Sequence, residues 1–251
     1  MKRDFDLLIF DLDGTLYPVS KEMDSVYPAA AINLLAQKTG RELQELQTEF
    51  LHKKEELRSI IKGKPTSTLT LLYYYDVSFA EFEDEVNQRM DVNAYLQLDP
   101  RAVSTIELIA ANYDIFLYTT NNGKITDRIL KRIGMRHIFP PEKCLTFSDV
   151  GKMPLSKAEK LRYIKPHPAG FRYILARSGI APQNVLMIGD SETADIIPAQ
   201  NLGLQTYHVQ NRESFYALPA WLGIIWWSIL NQLKNLFLEN QKYSYITKCN
   251  G

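Results

Sequence analysis

Two carboxylates one residue apart, Asp11 and Asp13, follow the apolar run Leu7-Leu8-Ile9-Phe10 and precede the turn former Gly14. Clustered acids repel, so keeping both ionised in a partly buried place requires a cation or positive side chains. A donor set made only of oxygen favours Mg²⁺. A plainer role also fits, because Asp-x-Asp-Gly satisfies a turn by side-chain to backbone hydrogen bonds.

The elements around these acids give the pair its context. Four to eight β-prone apolar residues bounded by a turn read as a buried strand, and open α/β sheets place ligands beyond the carboxyl ends of their strands. Alternation along a strand sends Asp11 and Asp13 to one face, unless the strand ends between them and Asp13 turns away. A second strand signal, Asp114-Ile115-Phe116-Leu117-Tyr118, runs into Thr119-Thr120-Asn121-Asn122-Gly123. Taken structurally, that is a strand, a Thr/Asn N-cap and a helix containing Ile125, Ile129 and Ile133. A strand-to-helix junction is also where backbone amides gather around anions. A third apolar run, Val185-Leu186-Met187-Ile188, leads into Gly189-Asp190-Ser191-Glu192-Thr193-Ala194-Asp195.

The run DLDGTLYP, Asp11 to Pro18, resembles the first motif of the haloacid dehalogenase (HAD) superfamily, and the other segments resemble its remaining motifs in chain order. The resemblance implies that Asp11 attacks a phosphoryl group to form an aspartyl-phosphate and that Asp13 is general acid and base. An ionised carboxylate is a competent nucleophile toward phosphorus once its charge is offset. An acid at position 13 argues against a dehalogenase, whose pattern lacks one there. The second motif implies a hydroxyl donor to the phosphoryl group, Thr120 with Asn121 following it, or Thr119 in the alternative register. Lys165-Pro166-His167-Pro168-Ala169-Gly170-Phe171 is similar to the Lys-Pro-x-Pro-x-x-Phe form of the third, whose lysine neutralises the acids and phosphate. Prolines near the first turn support a helix start there. A long basic insert with Lys152, Lys157, Lys160 and Arg162 precedes it, and Lys152 competes for the role because it stands nearer the usual spacing. In the fourth motif, Asp190 is implied to bind Mg²⁺ directly and Asp195 to support it, with Asp11 and the carbonyl of Asp13 completing the metal site. Glu192 reads as a solvated helix-start acid.

The expected fold class is therefore α/β, a Rossmann-like parallel-sheet core with an inserted α-helical cap. Residues 1–17 and 99–210 make the core. Residues 18–98 make the cap, because Ile32, Leu35, Leu43, Leu46, Phe50, Leu57, Ile60 and Ile61 recur at helical spacing with charges between them. Thr206-Tyr207-His208-Val209 closes the sheet. Residues 211–251 form a helical extension with the apolar stretch Ala220 to Leu230. It is short for a membrane span, and Pro219 and Gly223 weaken its start. Packing on its own domain ranks first for this tail, contact with a homo-oligomer partner second, and membrane-surface contact third.

The 29 basic and 29 acidic residues balance, so no overall field draws the chain to a nucleic acid polymer. Two cysteines, Cys144 and Cys249, are too few for a disulfide framework, which fits a cytoplasmic setting, and no cleavable signal precedes the first strand. The expected partner is a small phosphorylated metabolite. Tyr17-Pro18, the stretch from Lys62 to Leu69 and Leu96-Gln97-Leu98-Asp99-Pro100 resemble the pyrimidine 5′-nucleotidase branch of the superfamily. That implies a nucleoside 5′-monophosphate, to whose base Tyr73-Tyr74-Tyr75 could offer an aromatic face. Lys62 and Lys64 read as solvated loop charges before phosphate ligands. Phosphoglycolate or sugar-phosphate hydrolysis is the alternative, followed by a phosphomutase and a non-enzymatic HAD-like binding protein.

Overall fold

The computed structural model describes residues 3–61 and 63–224. Five strands, β1 (Leu7–Phe10), β2 (Asp114–Tyr118), β3 (Cys144–Leu145), β4 (Val185–Gly189) and β5 (Gln205–His208), form one parallel sheet in the order β3-β2-β1-β4-β5. Between β1 and β2 lie α1 (Lys21–Thr39), α2 (Leu43–Ile61), α3 (Ser67–Tyr74), α4 (Phe79–Arg89), α5 (Val92–Tyr95) and α6 (Pro100–Ala110). Next come α7 (Gly123–Arg132) before β3, then α8 (Phe147–Lys152), α9 (Lys157–Leu161) and α10 (Ala169–Ser178) before β4. Short α11 (Ile197–Gln200) precedes β5, and α12 (Arg212–Trp221) follows it.

A parallel sheet must be covered on both faces, and the central strand shows this. Leu8 and Phe10 pack into one apolar cluster, Leu7 and Ile9 into the other, and none of the four exceeds 3% exposure. Fully burying each such side chain contributes about 1.5–3 kcal/mol. Phe10 pairs with Leu117 on one side and Ile188 on the other, so the three central strands end level. That common edge collects Asp11, Thr119 and Asp190.

Several expectations shift by local chemistry. The short strand β3 stops at Leu145, because Thr146 caps α8 and its own amide donates back to the Asp149 carboxylate. On α2, Leu46, Phe50 and Leu57 face inward as expected, but Leu43 and Ile60 are exposed. The first part of the tail joins the core. Phe215, Leu218, Leu222 and Ile224 are buried in the larger cluster, and Trp221 lies against Phe5 and Tyr207. The rest of the apolar stretch, Ile225 to Leu230, lies outside the described residues, as does Lys62. No described helix is long and apolar enough to cross a membrane.

Candidate active site

The Asp11 amide still donates to Ile188 O (2.9 Å), so its carboxylate leaves the sheet just as the ladder ends. The residue is 6% exposed. Lys165 reaches it from the segment before α10, and its Nζ pairs with Asp11 Oδ1 and with Asp195 Oδ1 (2.7 Å). The ammonium also lies 5.1 Å from the Tyr118 ring, which is held by its hydroxyl donating to Tyr163 O (2.8 Å). Burial alone would lower the lysine pKa, but the two aspartates raise it well above the ordinary value, so Lys165 is a fixed cation. Lys152 is exposed at the end of α8 and makes no such contact.

Asp13, one residue on, has different surroundings. Its carboxylate accepts from the Tyr17 hydroxyl and from Asn121 Nδ2 (2.6 Å). Asn121 Oδ1 in turn accepts from the Tyr27 hydroxyl on α1, so a helix of the insert holds the amide that holds Asp13. Burial raises the Asp13 pKa, and the Tyr17 and Asn121 bonds offset part of the rise. Such a group carries a proton closer to neutral pH than an ordinary aspartate, which suits proton transfer.

Thr119 is buried. Its amide donates to Leu145 O (3.0 Å), and its hydroxyl accepts from the Asn121 amide (3.1 Å). Thr120 beside it is half-buried, and neither hydroxyl bonds Asp11 or Asp13 among the described residues. Asn122, rather than a threonine, caps α7 through a bond from Ile125 N (2.9 Å).

Asp190 directly follows β4, and Asp195 lies in the single π-helical turn Glu192–Ile196 after it. Asp195 is 1% exposed, and its second oxygen accepts from Ser191 N (3.1 Å). Asp190 is open to solvent. Oxygens of Asp11, Asp190 and Asp195 lie within 4.8 Å of one another, while the Asp13 carboxylate is outside that group. Two glycines make the approach possible. A Cβ on Gly14, which has φ +80°, would overlap the Asp190 carboxylate, and one on Gly189 would overlap that of Asp195.

This donor set fits a hard divalent cation such as Mg²⁺. All its donors are oxygen, and only Lys165 opposes several negative charges. Burial lifts the Asp11 carboxyl well above its ordinary range; Lys165 offsets part of the rise, and the charges of Asp195, Asp13 and Asp190 add to it. Asp190 keeps an exposed edge, but its carboxylate lies against the Gly14 backbone, and this partial desolvation first and the Asp195 charge second push it to about 6. Both oxygens of Asp195 are engaged by Lys165 and Ser191, whereas Asp190 accepts no side-chain bond among the described residues. Asp11 is engaged as well, by Lys165 on Oδ1 and by the Thr15 hydroxyl on Oδ2 (3.4 Å), so Asp190 has the freest carboxylate of three acids that together could hold a metal ion.

A model of the haloacid dehalogenase-like hydrolase family matches residues 5–203. The chain belongs to this family. Among curated HAD relatives, a phosphoglycolate phosphatase of Haemophilus influenzae is 25% identical over 242 residues, covering 88% of this chain and 95% of the relative. A phosphoglycolate phosphatase of Pasteurella multocida is 30% identical over 107 residues, 42% of each chain. Among solved structures, a HAD phosphatase from Thermococcus onnurineus superposes with a TM-score of 0.55 at 22% identity, covering 87% of this chain and 98% of its own. A HAD-like hydrolase from Xanthomonas campestris gives 0.51 at 17% identity, covering 88% and 94%. Both share the fold.

Sequence reasoning overlooked the supports of this HAD site. Tyr17 stood four residues after Asp13, in plain view. Tyr27, 94 residues from Asn121, had no local signal. A largely apolar cavity of about 630 Å³ is lined by Ile60, Ile61 and Tyr73 of the insert and by Pro166 and Thr193 of the core, chain neighbours of Lys165 and Asp195, with none of the acids in its walls. Of the three tyrosines, Tyr73 lines it, while Tyr75 stacks on Phe50 and donates to Glu49 (2.9 Å).

Proposed function

We propose that this chain is a Mg²⁺-dependent phosphomonoester hydrolase that works through an aspartyl-phosphate on a small phosphorylated metabolite. The observation that carries the reading is the division of labour between Asp11 and Asp13. One is locked to a buried lysine cation, the other is held by two neutral donors, the Tyr17 hydroxyl and the Asn121 amide.

An Asp11 oxygen attacks phosphorus, and the bond to the leaving oxygen breaks as that oxygen takes the proton of Asp13. Asp13, now ionised, takes a proton from water, whose oxygen attacks the same phosphorus and frees Asp11 and phosphate. Lys165 offsets charge on the phosphoryl oxygens, with a threonine hydroxyl at the end of β2, Thr120 or Thr119, contributing a hydrogen bond. Asp11 and Asp190, backed by Asp195, would hold the metal, which would supply further charge neutralisation there. The inserted helices act as a cap that excludes water from the reacting centre, with Tyr27 tying its first helix to Asn121.

Phosphoglycolate is the first substrate to test, because the two relatives described above carry that name. This reverses the order expected from the sequence, which put pyrimidine nucleotides first. A nucleoside 5′-monophosphate stays as the second reading, supported by Tyr73 in the apolar cavity, where a base could stack.

The test is phosphate release from phosphoglycolate, nucleoside monophosphates and sugar phosphates, with Mg²⁺ or EDTA, by the wild type and Asp11→Asn. Metal-dependent release that falls at least about 10³-fold in Asp11→Asn is expected. A folded wild type that releases phosphate from none of them would sink the reading.

A further inference from the structure

Helix α12 opens on Arg212, beyond residue 203, where the match to the family model ends. Its guanidinium reaches back across most of the chain. Nη1 donates to Thr15 O (3.1 Å) and Nη2 to Asp99 Oδ2 (3.1 Å). These acceptors stand on the two connections between the sheet and the inserted helices α1 to α5. The chain leaves β1 through residues 11–20 and returns to α6 through residues 96–99. Two rings flank the fork, Phe215 at 4.5 Å and Tyr216 at 5.1 Å from its central carbon. Nε is buried and has no partner among the described residues, so the side chain is oriented for its two fork ends with the third donor left unmet.

Both acceptors are tied further. Thr15 is fully buried, and its hydroxyl donates to Asp11 Oδ2 (3.4 Å), the oxygen that Lys165 leaves free. Asp99 Oδ1 accepts from Ala102 N (3.0 Å), which caps α6, and Oδ2 accepts from the Tyr216 hydroxyl (2.5 Å) besides Arg212. One cation therefore joins the loop of the nucleophile, the start of α6 and the start of α12. A planar guanidinium with donors at fixed spacing sets the distance between two acceptors, which the single ammonium of a lysine does not. Movement of an inserted unit has to be absorbed by the few residues of its connections. With Thr15 and Asp99 held, and Tyr17 bridged to Asp13, those residues are 18–20 and 96–98. A Thr15 set loose would carry the Asp11 contact with it.

We propose that Arg212 is a positioning residue, a clamp on the two connections of the insert that keeps movement of the insert from reaching the Asp11 nucleophile. It acts through Thr15 on one side and Asp99 on the other. The C-terminal helix thereby has a part in turnover. This inference rests on the proposed reading of a phosphoryl site under a cap, and one of its two readouts needs no turnover.

The experiment measures phosphate release from the best substrate of the panel above, with Mg²⁺, by wild type, Arg212→Met, Arg212→Lys, Tyr216→Phe and the control Arg101→Met. Each is assayed at a temperature where its melting curve shows it folded. Arg101 lies over the Tyr216 ring (3.9 Å) and pairs with Glu213 (3.4 Å), so its loss disturbs the contact of α6 with α12 but removes no bond of the clamp. Arg212→Met should lower kcat at least about 10-fold with KM within about 3-fold, because a displaced nucleophile loses rate rather than binding. Arg212→Lys should recover part of the loss, Tyr216→Phe should lose less, and Arg101→Met should match wild type. Hydrogen exchange read by mass spectrometry reports the clamp itself. Arg212→Met should speed exchange in residues 11–17 and 96–99, and Arg101→Met should not. A folded Arg212→Met with wild-type kcat, or with exchange raised only within α12, would overturn the inference. If the wild type releases no phosphate from any compound, the hydrolase reading falls and exchange alone decides. Faster exchange in both segments then upholds the clamp, and unchanged exchange refutes it.

Discussion

Acidic side chains receive opposite treatment in the two parts of the molecule. In the insert they are paired at the surface. Lys38 and the Ser78 cap pull Glu81 down to about 2, and Arg41 and Tyr75 lower Glu49. In the core, burial drives Asp11, Asp13 and Asp190 upward faster than Lys165 can compensate. The acids of the insert are spent on its own fold, while the core keeps a negative surplus that a proton or a bound cation would remove.

The sharpest way to break this contrast is to remove one lysine from each part. Lys165→Met leaves Asp11 and Asp195 buried without their cation, and should cost about 3–5 kcal/mol of unfolding free energy in EDTA. Lys38→Met frees an exposed Glu81 and should cost under about 1 kcal/mol. Denaturant titrations of both variants check this, and equal losses would erase the distinction.

Asp190→Asn sharpens it. Because the folded carboxyl is raised to about 6, the native state holds a proton that the unfolded state has released between about pH 4 and pH 6. The metal-free wild type thus loses stability as pH rises through that window, and the amide variant does not. Since Asp190 is open to solvent, the gain should be only about 1 kcal/mol above pH 6 and absent near pH 4. Melting in EDTA at both pH values measures it, and Mg²⁺ should stabilise the wild type but no longer the variant.

The smallest effect is Glu81→Gln. Its folded pKa is depressed, so its contribution is present above about pH 4.5 and disappears as pH falls toward about 2. The variant should be slightly less stable at pH 7, by well under about 1 kcal/mol, and equal to wild type near pH 2. A constant difference across pH would mean that packing, not charge, sets it.

How much of this could be read from the chain follows from the range of each interaction. The central strands were legible because both sheet faces are buried, which makes Leu7 to Phe10 and Val185 to Ile188 unbroken apolar runs. Lys165 and Lys152 could not be separated by spacing alone. Helices α8 and α9 occupy the segment between them, and only the folded chain shows Lys165 buried and Lys152 exposed. The end of β3 was written in Thr146 and Asp149, a capping box that the apolar run obscured. Tyr27 was illegible because its role depends on a contact across 94 positions.

The close approach of Gly14 to Asp190 and of Gly189 to Asp195 sets how tightly the acids cluster by main chain rather than by side-chain contacts. The acidic centre resembles a casting. Its spacing is the imprint of backbone surfaces on two neighbouring strands, so variation elsewhere can reshape the substrate pocket while the distance between carboxylates stays fixed. A change at either glycine would alter which ion fits before it altered which substrate does.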